Sequence, residues 1–246
     1  MYKKSINNLI SDTKPCESYD IMSERVLKMP MADETCDKCG KCVAVCSGHA
    51  IFIDVNWSID LGKCIFCRDC YDLCKHITPI TAPNYVLKRN DLIFSVSKHP
   101  EPISPKLSNE KTKTLKRSVS IRELDTGSCN ACEIEINAMD NKYYDMERFG
   151  LKIVPSPRHA DVILVTGPMT KNMLIASKKT YAATPDDKLI IACGTCAISG
   201  GLFIKGDVVG EGISDTLPVD MYIVGCPPSP NRIVVSMIDA MGLRHK

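Results

Sequence analysis

The chain has 246 residues, enough for two domains, and a formal charge of +2, which gives no reason to expect a nucleic-acid partner. No uninterrupted apolar run is long enough to cross a membrane, and Met1-Tyr2-Lys3-Lys4-Ser5 leads into polar chain with no export signal. The 14 cysteines are therefore the dominant feature, and without export their expected use is metal binding, not disulfides.

Residues 1–31 read as an N-terminal extension. A short helix is expected over 19–29, with Ile21, Met22, Val26 and Leu27 on one side. Cys16 has no cysteine at ligand spacing and reads as a free thiol.

Residues 32–97 read as a small α+β domain. It holds two C-x2-C-x2-C-x3-C runs, Cys36-Cys39-Cys42-Cys46 and Cys64-Cys67-Cys70-Cys74. This is the bacterial-type ferredoxin spacing, in which the fourth cysteine of each run serves the other 4Fe–4S cluster. The expected ligand sets are therefore Cys36, Cys39, Cys42 and Cys74, and Cys64, Cys67, Cys70 and Cys46. Soft thiolates suit such clusters. Structural zinc takes four ligands, commonly as two spaced pairs, and two triplets with distal partners exceed that need. The run commonly ends C-P, but Ser47 and Lys75 stand at those positions here. Between the runs, residues 50–54 and 57–60 read as a hairpin, with Trp57 a packing residue. His49 and His76 read as loop residues, because the cysteine set is complete without them. Residues 82–92 resemble the tail after the second cluster motif in ferredoxin-like subunits of formate hydrogenlyase and respiratory NADH:quinone oxidoreductase.

Residues 98–117 read as a linker. Pro100, Pro102 and Pro105 favour an extended chain, and Lys106, Lys111, Lys113, Lys116 and Arg117 favour solvent.

Residues 118–246 alternate strand and helix patterns. Strands are expected over 119–124, 151–154, 162–166, 188–192 and 221–224. Helices are expected over 130–149, 170–181 and 231–241. The uncharged stretch 189–204 reads as a buried strand plus loop. This alternation predicts a flavodoxin-like α/β domain, a parallel sheet covered by helices, with ligands at the carboxyl ends of the strands. Cys129 and Cys132 follow the first strand, Cys193 and Cys196 the fourth, and Cys226 the last. Four of these five could hold a third 4Fe–4S cluster, with zinc or scattered thiols as the alternatives. A helix starting near Asn130 would present its N-terminus to that rim. Glu133, three residues after Asn130, has capping-box spacing. Arg158 and His159 read either as groups tuning the site or as polar loop residues.

Four motifs then carry a resemblance: Cys129-Asn130-Ala131-Cys132-Glu133-Ile134-Glu135, Pro155-Ser156-Pro157-Arg158-His159-Ala160-Asp161, Gly194-Thr195-Cys196 before Ser199-Gly200-Gly201, and Gly225-Cys226-Pro227-Pro228. In that order they resemble the small subunit of energy-converting (group 4) nickel–iron hydrogenases, including formate hydrogenlyase, and the related 20 kDa subunit of respiratory NADH:quinone oxidoreductase. The match covers residues 118–243. The respiratory subunit has adjacent cysteines at the first position, whereas C-x2-C here is the hydrogenase arrangement. The resemblance implies that Cys129, Cys132, Cys196 and Cys226 hold a proximal 4Fe–4S cluster, with Cys193 a buried thiol. It implies three clusters in one chain, as though two subunits of formate hydrogenlyase had fused. It also implies an oxidoreductase subunit relaying electrons between a donor such as ferredoxin and a hydrogenase-type large subunit, with membrane subunits alongside. The placement implied is cytoplasmic and peripheral, on the inner face of the cell membrane. An equivalent subunit of a complex I-like, ion-pumping oxidoreductase without nickel is the alternative.

Overall fold

The computed structural model describes residues 26–100, 105–108, 112, 115, 118–204 and 207–243. Cys16 and most of the expected 19–29 helix lie outside them. The last two residues of that segment, Lys28 and Met29, belong instead to a strand, β1 (Lys28–Ala32).

β1 pairs antiparallel with β4 (Ile77–Thr81), Met31 opposite Thr78. The expected hairpin is present as β2 (Ile51–Ile53) and β3 (Trp57–Asp60), and β6 (Ile93–Ser95) adds a third antiparallel strand beside β3. Two one-turn helices, α1 (Lys41–Val45) and α2 (Asp69–Leu73), each carry the third cysteine of a run, Cys42 and Cys70. Between β4 and β6 lies the two-residue strand β5 (Tyr85–Val86).

The second half forms a parallel sheet. Its strands are β7 (Val119–Asp125), β8 (Leu151–Ile153), β9 (Val162–Thr166), β10 (Leu189–Cys193) and β11 (Met221–Ile223). The order β8-β7-β9-β10-β11 is the flavodoxin-like 2-1-3-4-5 arrangement, with its switch point between β7 and β9. Val-Ile-Leu-Val-Thr of β9 and Leu-Ile-Ile-Ala-Cys of β10 are buried at every position, as parallel strands covered on both faces require. The helices are α3 (Ala131–Ala138), α4 (Lys171–Ala183), α5 (Thr195–Ser199) and α6 (Pro230–Met241). Two expectations change here. The helix expected over 130–149 ends at Ala138, because Asn141 Oδ1 accepts the Tyr143 and Tyr144 N–H groups and so competes with the helical ladder. The loop expected after β10 is helical, as α5.

β5 joins this sheet, pairing antiparallel with β11 (Tyr222 opposite Val86). Side chains alternate between two cores, with the period-2 geometry of a strand. Val162, Leu164, Leu189 and Ile191 face α3 and α6. Ile163, Val165, Ile190 and Ala192 share a core with Met29, Met31, Trp57 and Ile59 of the cysteine-rich half. That half therefore helps cover one face of the sheet. The segment expected as a solvated tether also contributes: Leu107 and Leu115 are buried in the second core, and the Pro105 carbonyl accepts the Tyr85 hydroxyl at 2.7 Å.

Candidate metal centres

The two cysteine runs fold alike. In the first, Lys38 and Gly40 have φ of 56° and 76°; in the second, Phe66 and Arg68 have 58° and 74°. Left-handed residues set among right-handed ones turn successive backbone N–H groups inward, a nest that suits an anion and recurs at Fe–S sites. For Lys38, Phe66 and Arg68 the conformation costs roughly 1–3 kcal/mol each, so the surrounding contacts must hold it. Cys42 and Cys70 lie in the first turns of α1 and α2 and are buried, whereas Cys39 and Cys67 are exposed at equivalent positions.

The thiols fall into groups across the two runs. Burial pushes the Cys42 thiol up, and its charged neighbours are Cys74 and Cys36. Burial pushes Cys64 up to about 12, with Cys46, Cys70 and Cys67 as neighbours. Cys70 is likewise pushed up to about 12 by burial, then by Cys67 and Cys46. Cys46, Cys64, Cys67 and Cys70 line one pocket, walled by Ile51, Ile59 and Tyr71. Two buried donors lack partners beside these groups. The Trp57 indole Nε1–H makes no hydrogen bond of ordinary geometry, yet it favours the ionised form of Cys42. The Tyr71 hydroxyl is unpaired against Cys70 and Cys64. His49 is exposed, and His76 Nδ1 lies 3.0 Å from Thr35 Oγ1.

The third group sits at the carboxyl ends of β7, β10 and β11. Asp125 Oδ1 accepts the Gly127 and Ser128 N–H groups, and Ser128 Oγ accepts that of Asn130, which shapes the Cys129 loop. Burial raises the Cys132 thiol far above its ordinary range, and Cys193, Glu133, Cys196 and Cys226 add to it. Cys196 is pushed up to about 12 by burial, then by Cys226 and Cys129. The backbone leaves these thiols room. Gly194, at φ 88°, would place a Cβ 2.7 Å from Cys132 Sγ, and a Cβ on Gly201 would lie 2.8 Å from Cys196 Sγ. Cys129 and Cys226 are exposed, so the group opens to the surface. Cys193 ends β10, is fully buried, and neighbours Cys132.

Glu133 departs from its expected role. Asn130 is left-handed and makes no side-chain cap, and both Glu133 carboxylate oxygens are buried without a hydrogen-bond partner. Arg158 and His159 are exposed in a 3-10 turn, Pro157–His159. Among the described residues, no group of three or more His, Cys, Asp or Glu side chains converges tightly enough for a single metal ion.

Sequence reasoning missed the hydroxyls that join the halves. Thr195 Oγ1 donates to the Cys64 carbonyl at 2.9 Å, with the Gly225 carbonyl a second acceptor at 3.1 Å. Ser199 Oγ donates to the Gly62 carbonyl at 2.8 Å. The signal available was a pair of small polar residues in an otherwise apolar stretch.

Residues 129–240 match the family described as NADH ubiquinone oxidoreductase, 20 Kd subunit. The chain is 44% identical over 131 residues to formate hydrogenlyase subunit 7 of Escherichia coli, covering 53% of this chain and 51% of that one. It thus spans about half the length of that relative. It is 43% identical over 129 residues to the probable membrane-bound hydrogenase subunit mbhJ of Pyrococcus furiosus, covering 52% of this chain and 77% of the relative. It is also 43% identical over 107 residues to an NADH-quinone oxidoreductase subunit of Citrifermentans bemidjiense, covering 44% of this chain and 62% of the relative.

Proposed function

The chain belongs to the family of the NADH ubiquinone oxidoreductase 20 Kd subunit, and on that premise we propose that it is the iron–sulfur electron-transfer subunit of a membrane-associated nickel–iron hydrogenase. The class, a subunit of an oxidoreductase complex, follows from the family. The finer reading rests on one observation: twelve cysteines in three groups, one of which lines a single cavity with all four of its members.

The residues present fit three 4Fe–4S clusters. Each group supplies thiols alone, the softest ligands the chain has. The left-handed turns at Lys38, Gly40, Phe66 and Arg68 aim backbone N–H groups where an anionic cluster would sit. Trp57 Nε1 and Tyr71 Oη are donors awaiting acceptors at the first two sites. Gly194 and Gly201 keep the third clear of side chains. When bound, the clusters would supply one-electron redox chemistry, while the protein sets position and potential.

Cys36, Cys39, Cys42 and Cys74 would hold one cluster, Cys46, Cys64, Cys67 and Cys70 the second, and Cys129, Cys132, Cys196 and Cys226 the third. The exposed Cys129 and Cys226 mark the face on which a large subunit would close. That partner would hold the active site, where protons are reduced to hydrogen or the reverse. A donor such as ferredoxin would meet the cysteine-rich half. Among the described residues no helix is long and apolar enough to cross a membrane. Attachment, peripheral and on the cytoplasmic face, would come through membrane subunits of the complex; the Pyrococcus relative is a probable subunit of a membrane-bound hydrogenase.

A second reading keeps the wiring and removes nickel: an equivalent subunit of a complex I-like, ion-pumping oxidoreductase. The similarity to the NADH-quinone oxidoreductase subunit of Citrifermentans bemidjiense favours it. The two differ in the partner, where two C-x2-C pairs would hold nickel. The test is nickel, iron and acid-labile sulfide on the complex purified anaerobically through a tag on this chain. Nickel with iron for all three sites supports the hydrogenase. Iron and sulfide without nickel supports the second reading. Zinc with little iron overturns both.

A further inference from the structure

Thr195 lies beside Cys196, is 1% exposed, and opens α5. Its hydroxyl reaches two other cysteine-bearing segments. It donates to the carbonyl of Cys64 itself at 2.9 Å, and the carbonyl of Gly225, the residue before Cys226, lies 3.1 Å away. Its backbone N–H also donates to the Gly225 carbonyl at 2.9 Å. One side chain therefore ties the Cys64, Cys196 and Cys226 loops together across the two halves of the molecule. The neighbouring contacts are equally close. Ser199, one turn on, donates to Gly62 two residues before Cys64. A Cβ on Gly62 would lie 2.7 Å from Ile198 Cγ2, so the backbone of this loop rests directly on α5.

Each hydroxyl has an acceptor in its own half, Gly225 for Thr195 and the Thr195 carbonyl at 3.1 Å for Ser199, but its shorter contact crosses to the cysteine-rich half. A buried hydroxyl whose acceptor belongs to a segment 131 residues distant fixes the relation of two units. We propose that Thr195 is a positioning residue that locks the Cys46/Cys64/Cys67/Cys70 site against the Cys129/Cys132/Cys196/Cys226 site. The Cys46/Cys64/Cys67/Cys70 site is then the middle one of the three, and the Cys36/Cys39/Cys42/Cys74 site is the outer one. This rests on the reading of both sites as cluster sites.

The test uses the intact complex, purified anaerobically through a tag on this chain, as wild type, Thr195→Val and Thr195→Ser. Iron and acid-labile sulfide are measured first, then the EPR spectrum after dithionite reduction. Dithionite gives one electron to each cluster and is oxidised to sulfite, so neighbouring sites become paramagnetic together and split each other's signals. The wild type is expected to show that splitting. Thr195→Val, which keeps the shape and removes the donor, narrows it at unchanged iron, the coupling within the cysteine-rich half remaining, and Thr195→Ser keeps it in full. Unchanged splitting in Thr195→Val overturns the inference, and so does a fully iron-loaded wild type whose signals add as isolated clusters. Should Thr195→Val lose iron, Ser199→Ala decides: narrowed splitting supports the lock and unchanged splitting overturns it. Absence of iron from the wild type overturns the cluster reading itself, and this inference with it.

Discussion

Arg89 holds Asp60 through two parallel hydrogen bonds, Nη1 to Oδ1 at 2.8 Å and Nη2 to Oδ2 at 2.6 Å. The fork geometry of the guanidinium suits a carboxylate. Asp60 ends β3 and is buried, and its Oδ1 also accepts the Gly62 N–H at 3.0 Å. The pair therefore steadies the Gly62 loop where it meets α5. Arg89→Leu leaves the buried carboxylate without its cation and is expected to cost about 2 kcal/mol, the scale of hydrogen bonds to charged groups. Thermal unfolding followed by circular dichroism checks this; an unchanged midpoint would show that the pair is replaceable by solvent.

Trp57 is fully buried, its Nε1–H has no hydrogen-bond partner, and the indole favours the ionised form of Cys42. Hydrogen bonds to cluster sulfurs raise reduction potentials, because they favour the more negative, reduced form. Trp57→Phe keeps most of the packing and removes the donor. The expected result is a lower potential at the Cys36/Cys39/Cys42/Cys74 site with iron content intact, read by an EPR-monitored redox titration. The packing role expected from the sequence is present too, so Trp57→Ala should destabilise by roughly 3–5 kcal/mol.

The parts of this molecule legible in the sequence are those whose cause is local. The two C-x2-C-x2-C-x3-C runs are legible as a repeated local unit, and they fold alike, with left-handed residues at matching positions and a one-turn helix at each third cysteine. β9 and β10 are legible because a strand covered on both faces must be apolar throughout. What escaped depends on distant partners. Lys28–Ala32 is a strand only because Ile77–Thr81 lies beside it. Tyr85–Val86 joins the second sheet through β11, far along the chain. Thr195 and Ser199 look like loop residues until their acceptors, Cys64 and Gly62, are known. Glu133 has capping spacing, but spacing cannot reveal that Asn130 is left-handed and leaves the carboxylate uncapped.

Gly194 has no Cβ and sits at φ 88°, with Cys132 Sγ where a Cβ would point. Alanine there must bear the left-handed strain, about 1–3 kcal/mol, and displace a thiol. Gly194→Ala is therefore expected to empty one site. Iron and sulfide fall by a single cluster's share, and the signals of the two sites in the cysteine-rich half persist. Loss of all three would show instead that the variant fails to fold.

Glu123 lies on β7, half-buried, and burial raises its carboxyl above the ordinary 4.5, with the negative charges of Glu133 and Asp125 adding to it and Arg122 opposing. The sign follows from proton binding. A carboxyl that holds its proton more tightly folded than unfolded contributes stability below about 4.5, and that contribution is lost as pH rises through the raised folded value. At neutral pH the charged, half-buried carboxylate opposes folding. Glu123→Gln removes the titration while keeping the shape. The variant is expected to melt higher than wild type at neutral pH, with the difference vanishing in acid below the unfolded value. Melting curves across that range check it. A variant that melts lower at neutral pH would mean that the Glu123 carboxylate is held by a charge-stabilising partner in the assembled complex.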